Sequence, residues 1–184
     1  MIFFVRKIHK VKRNEVEGVI YSNHTIDFVK IALEFCAWVE NVRENNKDTF
    51  IDQGVKILPL LYLKVTFIPP IEEDYDSYPE PGVVEEMYTR VQSGIAGLLG
   101  EDDLYLETFH PDMQYSDTPI AVSISEDLAD IYQDLGNFIS VFKHAQKETM
   151  NDSLAACIES FKDYWGQKLV NALKALHHLK WSQI

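Results

Sequence analysis

Hydrophobic positions recur at helical spacing along most of the chain. From about Thr25 to Val42, Asp27, Lys30, Glu34 and Asn41 gather in one narrow stripe, while Ile26, Phe28, Val29, Leu33, Phe35, Cys36, Trp38 and Val39 fill the rest of the circumference. This predicts a first helix capped by Ser22 or Asn23, apolar around most of its girth and central in its bundle. A second helix is expected from Asp48, read as its N-cap, to about Phe67. Pro59 inside it deletes one backbone hydrogen bond and should kink it. Pro69 and Pro70 end that helix, and the stretch 68–82, with four prolines and five acids, reads as an exposed, semi-rigid loop.

A third helix spans about Val83–Leu99, with Val84, Met87, Tyr88, Val91, Ile95 and Leu98 on its apolar face and Gly100 as its stop. Residues 101–109 read as a short extra helix and 110–122 as a loop. In the fourth helix Ser123 and Glu126 form a capping box, after which Ile124, Leu128, Ile131, Leu135, Phe138 and Phe142 alternate at spacings of four and three. The fifth begins near Thr149 and carries Leu154, Ile158, Phe161, Trp165, Leu169, Leu173 and Leu176 nearly to the end. A short turn at 145–148 makes helices four and five an antiparallel hairpin, in which residues lie level when their numbers sum to about 295. Asp127 then faces Lys168. The aliphatic stem of Lys168 can lie along the core side of its helix, and its ammonium either pairs with Asp127 at the rim of the core or reaches past it to water.

No window alternates with period two over a strand's length between turn signals, so no strand-rich domain is expected. The pattern predicts an all-α fold: a single-domain bundle of about five helices over residues 21–184, up-and-down in type and closed by the C-terminal hairpin. A loosely ordered basic arm, residues 1–20, precedes it.

Three segments carry a resemblance: ILPLLYLK at 57–64, SISEDLADIYQDL at 123–135 and TMNDSLAACIESFKDYWGQKLVNALKALH at 149–177. Over roughly Tyr21 to Leu179 the chain resembles a bacterial family, the domain of unknown function numbered 5063. The resemblance implies a helical fold and a bacterial cytoplasmic origin, and it brings no activity with it.

Charge narrows the partners. The formal net charge is −12, yet residues 1–14 hold Arg6, Lys7, Lys10, Lys12 and Arg13 and no acid, which leaves −17 for the remainder. Such a body repels a polyanion, so nucleic acid is not an expected partner. In the arm the apolar residues precede the basic ones, the reverse of a secretory signal, and no apolar run is long enough to span a bilayer. The expected location is the cytoplasm. Cys36 and Cys157 both fall on apolar helix faces and are expected to be reduced, buried and unreactive.

Candidate chemistry is sparse. No phosphate-cradling glycine loop, nucleophile elbow or paired-cysteine motif occurs, and no cofactor is expected. Glu107 and His110 form one Glu-x-x-His pair where a di-iron bundle needs two, and the adjacent His177 and His178 point about 100° apart. All-helical pyrophosphohydrolases hold Mg²⁺ with carboxylates one turn apart on two helices. Glu126, Asp127, Asp130 and Asp134 on helix four, with Glu159 and Asp163 on helix five, permit that reading. Glu159 and Asp163 lie opposite their apolar stripe and should face water, whereas Asp127 and Asp134 flank theirs. Trp38, Tyr62, Tyr132, Tyr164 and Trp165 are candidates to line an apolar pocket. The expectation is a non-enzymatic binding protein that meets a protein partner through its acidic surface, with Asp127, Asp134, Tyr164, Trp165 and Lys168 as candidate binding residues. The alternative is a divalent-metal-dependent phosphohydrolase. The oligomeric state is open.

Overall fold

The computed structural model describes residues 18–71, 82–107, 118–144 and 147–182, except for the side chains of 144, 147 and 148. Most of the arm, the loop at 72–81 and His110 lie outside the described residues. Among the described residues six helices carry the fold: α1 Asn23–Glu40, α2 Lys47–Thr66, α3 Glu85–Leu99, α4 Ile124–His144, α5 Lys147–Ser160 and α6 Gly166–Trp181. The predicted fifth helix is two, because a π-helical turn, Phe161–Trp165, divides α5 from α6.

Local chemistry sets most boundaries. Ser22 caps α1, its Oγ accepting from Thr25 N at 3.1 Å. Asn46, not Asp48, caps α2 by accepting from Thr49 N at 2.9 Å. Asp48 lies in the first turn, where a carboxylate suits the positive end of the helix dipole. The helix runs on through Pro59 to Thr66. Gly100 closes α3 at φ +63°, a left-handed value that favours glycine. The arm was expected to reach residue 20, but Ile20 is fully buried and Val19 O accepts from Thr25 Oγ1 at 2.7 Å, so 18–20 belong to the body.

One core joins all six helices. The helix at its centre is α4, which packs on α1, α3, α5 and α6. The first helix is less enclosed than its pattern suggested, since Ile26 and Leu33 are exposed. Polar ties cross the helix contacts: Tyr132 donates to Glu40 at 2.7 Å between α4 and α1, and Lys64 meets Asp27 at 2.8 Å between α2 and α1. Lys180 of α6 pairs with Asp52 of α2.

The fold is the helical bundle that the sequence predicts, with one small two-stranded sheet added to it. After a 3₁₀ turn at Gly100–Asp103, β1 (Leu104–Glu107) pairs antiparallel with β2 (Ile120–Ser123), with Leu104 opposite Ser123 and Glu107 opposite Ile120. Four alternating residues are too few to register as strand period against the helical pattern around them. Asp103, buried beneath the sheet, accepts from Ser125 N at 2.8 Å and from Ser125 Oγ at 2.6 Å, so it fastens the sheet to the first turn of α4. Ser123 Oγ accepts from Glu126 N at 3.3 Å, which is one half of the expected capping box.

Both cysteines are buried, and burial pushes the Cys36 thiol up to about 12 and the Cys157 thiol well above its usual value. Native-state alkylation at pH 8 should therefore run on the order of a hundredfold slower than in urea. Rapid labelling of Cys36 in the folded protein would contradict this placement.

Candidate functional site

The polar groups of the bundle concentrate where α3, α4, β1 and α6 meet. Ordinary helical phase carries Asp127 and Asp130, one turn apart, onto the side of α4 that faces these elements. From the opposite side the π turn presents Tyr164 and then Lys168. This turn depends on Gly166, whose N–H bonds back to Phe161 O, five residues earlier. A Cβ on Gly166 would sit 2.3 Å from that same oxygen and 2.9 Å from the Phe161 ring. Gly166→Ala should therefore cost about 1–3 kcal/mol in urea unfolding. It should also shift the tyrosine fluorescence as Tyr164 is re-aimed. An unchanged midpoint would show that the π turn is not held by the missing side chain.

The resulting contacts are dense. Asp130 accepts from Tyr88 of α3 and from Tyr164, each at 2.8 Å, and its Oδ2 lies 2.7 Å from Lys168 Nζ. Asp127 accepts from Tyr105 of β1 and lies 3.4 Å from Lys168. Lys168 Nζ also stands 5.1 Å from the centre of the Tyr164 ring. One residue further along β1, on the opposite face, is Leu106; beyond it Glu107 accepts from Asn171 of α6 at 2.8 Å. Side-chain exposure is 23% for Lys168, 12% for Asp130 and 6% for Asp127.

Burial sets the electrostatics. It raises Asp127 to about 6, against the opposing pull of the Tyr105 hydroxyl and Lys168. Burial also raises Asp134, which a hydrogen bond from Ser160 at 3.0 Å partly offsets. For Lys168, burial lowers the pKa, but the bond to Asp130 and the charges of both aspartates outweigh it, and the ammonium is held above its usual value. Burial, together with donation to Asp130, lifts Tyr164 to about 12.

Of the candidate binding residues, three converge: Asp127, Lys168 and Tyr164. The Asp127–Lys168 pair is present, although Asp130 is the nearer partner. Asp134 stands apart and is satisfied by Ser160. Trp165 is fully buried, with its indole N–H donating to Cys157 O at 3.0 Å, so its role is in the core.

The chain's similarities can now be set beside this geometry. The family model of the domain of unknown function 5063 matches residues 19–182. The chain belongs to this family. Among solved structures, the 5063-family chain is similar to protein BF1032 from Bacteroides fragilis, with 47% identity and a TM-score of 0.82 over 90% of this chain and 98% of that one. None of the curated proteins matches it.

The family strings at 123–135 and 149–177 thus supply Asp127, Asp130, Tyr164 and Lys168, and the YWGQK of the second runs from the last two residues of the π turn into α6. The partners missed from the sequence are Tyr88, Tyr105 and Asn171. Two further contacts were within reach, because the hairpin sum that pairs Asp127 with Lys168 also sets Tyr164 level with Asp130 and Ser160 with Asp134.

The other candidates do not assemble. Glu159 and Asp163 are exposed, as their phase required, and Glu159 bonds to Lys162 at 2.7 Å. Among the described residues, no three His, Cys, Asp or Glu side chains are grouped so as to hold a metal ion. His177 packs its ring on Trp181, whereas His178 Nδ1 meets Ser182 Oγ at 2.8 Å. The five aromatic residues do not share a pocket: Trp38 stacks on Phe50, Tyr132 binds Glu40, and Tyr62 meets Phe161 edge-on. A cleft of about 410 Å³ lies elsewhere, lined by Lys47, Asp48, Ile51, Asp52, Leu179 and Lys180. No described helix is long and apolar enough to cross a membrane.

Proposed function

We propose that this chain is a cytoplasmic binding module that meets a basic segment of a protein partner through its acidic surface, and that the α4–α6 cluster is the rigid frame of that surface. One observation supports this reading above the hydrolytic one: the ammonium of Lys168 lies against both Asp127 and Asp130, the place where a phosphohydrolase would seat its metal. Tyrosine hydroxyls engage the remaining carboxylate oxygens. A constellation whose donors and acceptors satisfy one another holds a shape and has little capacity left for chemistry. Around it Glu126, Glu159 and Asp163 stand exposed and present negative charge to solvent. Such a rim favours a basic partner and speeds its encounter at low salt.

The test uses a fluorescent Lys/Arg-rich peptide against the wild type and the Glu126→Lys/Asp163→Lys variant. Binding to the wild type that weakens about tenfold in the variant supports the reading. Equal binding to both would place recognition elsewhere. Mg²⁺-dependent nucleotide hydrolysis abolished by Asp127→Asn and Asp130→Asn would replace it with the hydrolase.

A further inference from the structure

The outward face of α2 departs from the pattern of a surface helix. At helical phase Pro59, Leu60, Leu63 and Phe67 fall on one side together with Lys56. All four are exposed, Phe67 at 50%, where a polar face is expected. Exposed leucines scattered singly are ordinary, but a continuous stripe over two turns marks a docking surface.

The first turn of α1 lies beside one end of this stripe. Residues 18–20 are packed into the body, and the His24 ring lies 5.5 Å from the Phe67 ring at the C-terminal end of α2. Seven residues separate position 17 from His24, at most about 25 Å of chain, so the segment 1–17 joins the body within reach of Phe67. From Phe67 to Leu60 the stripe rises about 10 Å, while 17 residues reach about 25 Å as a helix and about 55 Å extended. Their sequence has the complementary chemistry. Ile2, Phe3, Phe4, Val5, Ile8 and Val11 are apolar, and Phe4, Ile8 and Val11 recur at spacings of four and three, the signature of a helix laid in a groove. The segment carries five basic residues and two acids, a net charge of +3, against −15 for the rest of the chain. A second copy on the stripe would instead bring together two chains of net charge −12.

We propose that the chain's own N-terminal segment, residues 1–17, seats its apolar side chains on the α2 stripe, with its basic residues directed toward the acidic body. The tether holds the segment at an effective concentration in the millimolar range, so modest affinity suffices. This inference stands apart from the binding reading above, which concerns the α4–α6 rim.

Thiol labelling tests it, because the two native cysteines are buried. In the full chain, Leu63→Cys places a thiol on the stripe and Val170→Cys places one on an exposed apolar position of α6. With Phe3→Asp/Phe4→Asp added, labelling at position 63 should accelerate about tenfold while labelling at 170 stays unchanged. Both probes are surface substitutions, and Leu60→Cys repeats the measurement one turn away. Equal rates at position 63 with and without the arm substitutions would overturn the proposal. Protection that disappears on about a hundredfold dilution would also overturn it, since the cover would then be a second copy.

Discussion

Replacing Lys168 with methionine should lower the stability of the protein by about 3 kcal/mol, a fall of about 6–12 °C in Tm. Methionine keeps the stem of Lys168 that packs along α6 and removes only the ammonium, so the loss reports on charge. What remains is two carboxylates one turn apart on α4, with side chains only 6% and 12% exposed and the ammonium that paired with both removed. An uncompensated charge in such a place costs more than the pair contributed, because desolvation is no longer offset. The hydroxyls of Tyr88, Tyr105 and Tyr164 still donate to these carboxylates, which keeps the loss finite. Adding Asp130→Asn should recover part of it, with a coupling of about 1–3 kcal/mol between positions 130 and 168. Coupling with Asp127→Asn should be weaker, since Asp127 lies at 3.4 Å and Asp130 at 2.7 Å. Strictly additive losses in urea unfolding would show that the ammonium is held by solvent and not by the aspartates.

The contrast between Asp127 and Asp130 shows how far the sequence could be read. Helical period alone located α1 to α4, and it turned Asp127 and Lys168 toward each other across the hairpin. That step needed only a count of residues, since two antiparallel helices joined by a short turn keep their register. The same count reaches Tyr164 opposite Asp130. It cannot reach Tyr88 or Tyr105, whose contacts depend on how α3 and β1 dock on α4, and a hydrophobic pattern carries no information on docking angle. Tyr105 was further hidden by the brevity of its strand. The division of the last helix was missed for another reason. Gly166 interrupts no apolar position of the expected fifth helix, whereas its close approach to Phe161 O is what permits the π turn. The aromatic residues follow their phase: Trp38 and Trp165 have the phase of core positions, and the core is where they are.

Stability should rise, not fall, as the pH is lowered from 7.5 to about 5. Burial raises Asp127 to about 6 from a usual 3.8, so the folded protein takes up this proton before the unfolded chain does. The unfolded state binds fewer protons across that window, and unfolding therefore becomes harder as protons are added. Each pH unit between the two values is worth about 1.4 kcal/mol, which makes the full contribution about 3 kcal/mol, gained as pH falls through 6 and complete below about 3.8. Asp134 is raised by burial too and acts in the same direction. The opposite effect comes from Asp27 and Asp52, held below the usual carboxylate range by hydrogen bonds from Lys64 and from Lys180 and Lys56. Their support is present above about 3.8 and is lost only as pH falls below it. The optimum should accordingly lie between about pH 4 and 5, more acidic than is usual for a globular domain. Acidification also relieves the general repulsion of a chain at −12, so the decisive measurement is a difference. Urea unfolding of the wild type and of Asp127→Asn at pH 7.5 and 5.0 supplies it. The wild type should gain about 1.4 kcal/mol more than the variant, because asparagine resembles the neutral carboxyl and has no proton to take up. Equal gains in the two proteins would mean that Asp127 titrates in the folded state much as it does in the unfolded chain, with its buried charge fully compensated by Tyr105 and Lys168.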